Sequence, residues 1–155
     1  MEEDEDGLWT MDFDGVVGRD SVGIGIWVHS LFSSPNKVPS NVRVCSYKLA
    51  FDCSNNEVEY EALIVGLKIL RQLNAKRIEV YGDSELVIKQ VKGEYQAKHP
   101  RMQTYHNAVL DILRLFSYYT LTCVPRIQNG IADALATAAS NLKIPMNSSN
   151  NLKFM

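Results

Sequence analysis

The sequence predicts an α/β domain built on a five-stranded mixed sheet with helices on its faces. Three observations carry that prediction. Three strand-like segments come first, before helical periodicity begins at Asn55. The rest of the chain alternates helix and strand, for an overall order βββαβααβα. Its 155 residues, 46% hydrophobic and 22% charged, make one domain with enough apolar material for a core. No internal repeat or inter-domain linker interrupts it.

Leu8 to Asp14 alternates and ends in Asp-Gly, a strand running into a turn. VGIGIWVHS (22–30) is a second strand. After the loop SSPNKVPSN, VRVCSYKLAF (42–51) is a third. A helix spans Asn55 to Leu73, and Ser54 and Glu57 have the S-x-x-E spacing of a capping box at its start. The strand RIEVYG (77–82) leads into a helix with Asp83 or Ser84 as N-cap. Pro100 starts a longer amphipathic helix through Leu115. YYTLTCVP is the fifth strand, and NGIADALATAAS, from Asn129, is the last helix. Residues 1–7 are expected to be a disordered acidic leader, 8–141 the folded domain and 142–155 a flexible tail.

Lys68, Asp111 and Arg114 break the longest apolar runs, so no segment can span a membrane. The N-terminus opens on acids without an apolar stretch, which speaks against a secretory signal. Cys45, Cys53 and Cys123 are isolated and odd in number, as expected of reduced thiols in an intracellular protein, cytoplasmic or nuclear. His29, His99 and His106 lack zinc spacing. The net charge of −2 hides a basic balance: residues 2–6 hold five of the 18 acids, and without them 16 basic residues face 13 acidic ones. That is compatible with a nucleic-acid surface.

Glu59 is the residue that asks for an explanation. Projected at about 100° per residue, Leu63, Gly66, Leu70 and Leu73 fall close to it, with Ala62 and Ile69 a little further round. Glu57, Glu61 and Lys68 are expected to point the opposite way, into water. An unpaired buried carboxylate is strongly unfavourable, so Glu59 needs a partner. A core salt bridge or helix-end hydrogen bond would serve, and so would a metal ion or a catalytic role. Three more acids sit at element ends, where function concentrates in α/β sheets. Asp14 ends the first strand, Asp83 the fourth, and Asp133 lies in the first turn of the last helix. Each also has a structural reading: a plain turn, an N-cap, and an answer to the helix dipole.

The motifs FDG, SNNEVEYEAL, GDSELVIKQV, KGEYQAK and PRIQNGIADALA, in that order from about Trp9 to Ser140, resemble type 1 ribonuclease H. They look most like the versions of plant gypsy-type LTR retrotransposons and their archaeal-like relatives. The resemblance implies a ribonuclease H-like fold and an endonuclease that hydrolyses the RNA strand of RNA/DNA hybrids, leaving 5′-phosphate and 3′-hydroxyl ends. It also implies that Asp14, Glu59, Asp83 and Asp133 bind two Mg²⁺, with Mn²⁺ able to substitute. Asp83 would bridge the ions with Asp14, while Glu59 holds the leaving-group side and Asp133 the nucleophile side. Gly15, Asn55, Asn56 and Glu85 would lie along the RNA strand. Ser54 would hold a DNA phosphate, and Tyr95 and Lys98 would meet the DNA strand. Ser54 and Tyr95 also have capping and packing roles open to them. Reverse transcriptase and integrase domains of the same polyprotein are the implied protein partners.

The chain departs from the pattern in four places. Asp12 stands where relatives carry an apolar or aromatic residue, and Ser54 where Thr is commoner. A basic protrusion is missing between Gly93 and Pro100. Arg126 occupies the position, seven residues before Asp133, where bacterial relatives carry a histidine. A histidine there moves protons near neutral pH, whereas arginine stays charged. Arg126 would then hold a phosphate or draw product off the metals, or else be a solvated loop residue after Pro125. The competing readings are a non-catalytic module of a retroelement polyprotein, and an integrase or proofreading exonuclease of the same fold. Non-catalytic modules typically lose a carboxylate, and this chain has all four. The integrases and exonucleases use other acid spacings and lack the S/T-N-N-x-x-E signature.

Overall fold

The three leading strand segments form an antiparallel meander of β1 (Leu8–Val17), β2 (Val22–Ser30) and β3 (Val42–Leu49). β4 (Arg77–Gly82) lies parallel to the free edge of β1, and β5 (Tyr118–Cys123) parallel to β4, giving the order β3-β2-β1-β4-β5. Parallel neighbours need a crossover, and helices supply it. These are α1 (Asn55–Gln72), α2 (Glu85–Val91) and α3 (Pro100–Leu113); a 3₁₀ turn at Arg126–Asn129 opens into α4 (Gly130–Ser140). The computed structural model describes residues 7–18, 21–30, 42–49 and 53–141. Most of the expected leader, the loop 33–41 and the tail lie outside the described residues, as does the side chain of Cys45. Among the described residues, no helix is long and apolar enough to cross a membrane.

Central β1 is covered on both faces. Met11 and Phe13 are fully buried, and α1 packs against β1 while α4 crosses β1, β2 and β3. The strand continues three residues past Asp14, so Asp14-Gly15 is not the turn itself. β5 and α3 each stop two residues earlier than the sequence suggests. Two glycines set how closely the helices approach. A Cβ on Gly15 would lie 2.8 Å from the Val58 backbone of α1. One on Gly25, paired across the ladder with Asp14, would lie 2.2 Å from the Ala132 carbonyl oxygen of α4.

α1 overturns one expectation from the helical projection. Glu57 and Glu61 do not face water; both are buried. The projection assumes one apolar face, but α1 sits between the sheet and α3, so almost all of it from Glu57 to Leu67 is enclosed. α3 supplies the partners. Arg101 lies 3.0 Å from Glu57, and the Tyr105 hydroxyl donates to Glu61. Glu57 also closes the capping box with Ser54, as its spacing indicates. Lys68 is exposed as expected.

The glycine contact yields a stability test. Gly25→Ala should lower unfolding free energy in urea by about 1–3 kcal/mol, the usual range for overpacking. Gly130→Ala, where a Cβ would meet nothing within 4 Å, should match the wild type or exceed it, because Ala favours helix by up to about 1 kcal/mol. Equal losses at both positions would show that close approach of α4 is not the constraint.

Candidate metal centre

β1 and β4 run parallel, so their C-terminal ends lie together and bring Asp14 and Asp83 to one edge of the sheet. Ser84, rather than Asp83, caps α2, accepting a hydrogen bond from the Val87 N–H. Asp83 is thereby left to face the edge. The first turns of α1 deliver Glu59, whose Oε1 accepts a 2.6 Å hydrogen bond from the Gly15 N–H. The missing side chain at Gly15 is what lets the helix come that near.

Carboxylate oxygens of Asp14, Glu59 and Asp83 lie within 4.8 Å of one another. Asp14 and Glu59 are buried, and burial is the main force that pushes their carboxyls up, to about 7 and about 9 respectively. Charge repulsion within the cluster adds to both: Asp83 and Asp133 act on Asp14, and Asp14 and Asp83 on Glu59. The Gly15 hydrogen bond works the other way but does not compensate. Three hard oxygen donors gathered against their own repulsion fit a divalent cation. Asp133, on α4, helps raise the Asp14 carboxyl but stands outside the mutual cluster; Arg126 Nη2 lies 3.3 Å from its Oδ1.

These groups open into a cleft of about 330 Å³, which Asp14, Gly15, Asn55, Glu59, Asp83 and Arg126 all line. Half of the twelve site residues expected from the sequence therefore meet there. Arg126 is not in a loop but in the 3₁₀ turn, with its side chain largely exposed. Ser54 and Asn56 line a neighbouring cleft of about 390 Å³ with His99 and Arg101. Glu85 and Tyr95 are exposed and line neither of these clefts. Glu85 accepts hydrogen bonds from Lys89 and from the Tyr95 hydroxyl, with Lys89 over the Tyr95 ring. Lys98 is exposed, and its carbonyl accepts from Gln103. Asp12 is half-buried next to Tyr81 and Trp27 in the ladder, and burial raises its carboxyl to about 6.

Asn129 also belongs to this site, though it is not among the residues expected there from the sequence. It is fully buried and donates from Nδ2 to the Phe13 carbonyl at 2.9 Å and to Asp83 Oδ2 at 3.2 Å. The only hint in the sequence is an Asn four residues before Asp133.

Residues 40–139 match the family described as reverse transcriptase-like. This chain belongs to that family. Its sequence is 37% identical over 86 residues to ribonuclease HI of Halobacterium salinarum, a match covering 56% of this chain and 43% of the relative. The match thus spans less than half the length of that curated relative. The crystal structure of RNase H1 from the same archaeon superimposes with a TM-score of 0.77 and 29% identity, covering 86% of this chain and 97% of the other. LC11-RNase H1, solved in complex with an RNA/DNA hybrid, superimposes with a TM-score of 0.72 and 26% identity, covering 86% of this chain and 96% of that one. The five-stranded sheet with flanking helices is the RNase H fold.

The raised carboxyls dictate how stability varies with pH. Asp14 and Glu59 hold protons more tightly when folded than at their ordinary values of 3.8 and 4.5, so the folded state binds more protons. Their contribution is complete below about pH 4 and is lost as pH rises toward 7 to 9. In EDTA, the melting temperature should therefore fall between pH 5 and pH 8. Glu59→Gln should flatten the fall, and Mg²⁺ should restore more stability at pH 8 than at pH 5. A metal-free melting temperature that rises with pH in the same window would contradict the assignment.

Proposed function

We propose that this chain is a metal-dependent endonuclease that hydrolyses the RNA strand of RNA/DNA hybrids. The observation that carries the reading is the cluster of Asp14, Glu59 and Asp83 at the sheet edge, where no cation among the described residues pairs with any of the three. Likeness to ribonuclease HI and RNase H1 supports it. On this reading Asp14, Glu59 and Asp83 hold Mg²⁺, and Asp133 completes the set for a second ion. Bound Mg²⁺ would polarise a phosphate oxygen and lower the pKa of a water.

The protein's own part is to position the substrate and hold charge in place. Gly15 and Asn55 border the cleft where the RNA strand would pass, and Asn56 and Glu85 would lie further along that strand, while Ser54 would hold a DNA phosphate and Tyr95 and Lys98 would meet the DNA strand. Recognition would be by shape, phosphate and 2′-hydroxyl rather than by sequence. Arg126 carries a fixed positive charge at the cleft, beside Asp133, where it would stabilise a phosphate at the scissile position. Burial of Asp12 beside Tyr81 supports a structural reading for that residue. On this reading the chain would act beside reverse transcriptase and integrase domains of one polyprotein, in the cytoplasm or nucleus; its motif resemblance to LTR retrotransposons is what supports this.

The direct assay uses a hybrid labelled on its RNA strand. The protein should cut it internally in Mg²⁺, leave 5′-phosphate ends, spare duplex DNA and stop in EDTA. Asp83→Asn should abolish turnover without loss of fold. Metal-dependent binding by a clean preparation with no cleavage would instead make the chain a non-catalytic module.

Arg126 has its own test. Arg126→Ala should lower turnover roughly ten- to a thousandfold, the span for losing one charged stabiliser. Arg126→Lys should keep part of the rate, and Arg126→His should regain rate with a new pH dependence near neutrality. Wild-type turnover in Arg126→Ala at saturating Mg²⁺ would remove Arg126 from the site.

A further inference from the structure

Asn129 occupies the N-cap position of α4, where an Asn side chain ordinarily accepts a hydrogen bond from the helix's first turn. It makes no such bond. Its side chain turns inward and is fully buried, 116 residues along the chain from one acceptor and 46 from the other. The amide orientation is fixed by chemistry. The Phe13 carbonyl and Asp83 Oδ2 are both acceptors, so only the NH₂ end can face them, and a flipped amide would set oxygen against two oxygens. Its own Oδ1 is buried without a hydrogen-bond partner among the described residues. The chain thus forgoes a helix cap and leaves a buried acceptor unsatisfied to keep this one contact. Neither sacrifice is explained by the stability of α4.

The contact joins three parts of the site. It ties the backbone of β1 one residue before Asp14, the carboxylate that ends β4, and the turn that carries Arg126 into the helix bearing Asp133. We propose that Asn129 is a positioning residue for the metal centre, holding the Asp83 carboxylate and registering the Asp133 helix against Asp14. This rests on the metal-dependent reading above. The logic is that of an outer partner orienting a ligand: one N–H bond occupies Oδ2 of Asp83 and restricts the carboxylate's rotation.

Metal affinity measured without substrate tests this directly. Mn²⁺ or Mg²⁺ is titrated into the wild type, Asn129→Ala, Asn129→Ser and Asp83→Asn by calorimetry, with melting temperatures taken in EDTA. Asn129→Ala should weaken metal binding roughly ten- to a hundredfold. Asn129→Ser separates the two roles. Ser caps helices as well as Asn does but is too short to span both acceptors, so its melting temperature should stay close to wild type while metal affinity still falls. It also keeps the test open if the Ala variant does not fold. Wild-type metal affinity in a folded Asn129→Ser would overturn the inference, even while Asp83→Asn loses the metal. Absence of metal binding by the wild type itself would overturn the metal-dependent reading and this inference with it.

Discussion

Everything in this molecule depends on holding like charges together. When both are ionised, two carboxylates about 4 Å apart repel by about 4 kcal/mol at the effective dielectric near a protein surface, and here three carboxyls share one edge of a sheet. No single element could do this. β1 and β4 supply Asp14 and Asp83 from adjacent parallel strands, α1 brings Glu59 from one face, and α4 brings Asp133 from the other. Each approach relies on a residue without a side chain: Gly15 under α1 and Gly25 under α4. The rigidity of the fold is what the acids work against, and a divalent cation is what would reward it.

Helix α1 shows how finely surroundings decide what an acid does. Glu57, Glu59 and Glu61 are spaced two apart on one helix, and all three are buried. Glu57 closes the helix cap and meets Arg101, and Glu61 takes a hydroxyl bond from Tyr105. Both have partners supplied by the protein. Glu59 receives one backbone N–H and otherwise faces carboxylates. Burial alone therefore does not mark a functional acid in this chain; the nature of the partner does.

Much of this was legible in the sequence, because local rules govern it. Alternation gave the strands, Ser54 and Glu57 the start of α1, and an acid among leucines singled out Glu59. Other features were out of reach for physical reasons. A projection of α1 cannot know that α3 covers its second face, which is why Glu57 and Glu61 were expected in water. Asp83 and Ser84 are equally good caps by type, and only the fold decides that Ser84 takes the role. Asp14, Asp83 and Asp133 each admitted a structural reading, and it was the resemblance of the whole motif series that joined them. Asn129 was invisible because both of its partners are remote in sequence.

On the proposed function, Asp14, Glu59 and Asp83 together hold a metal ion. The most direct measurement is anomalous scattering from crystals of the protein soaked in Mn²⁺. Metal binding by this cluster should give a peak within coordination distance of all three carboxylates, lost on soaking in EDTA. A cluster without a peak at saturating Mn²⁺, or Mn²⁺ bound only elsewhere on the molecule, would contradict it.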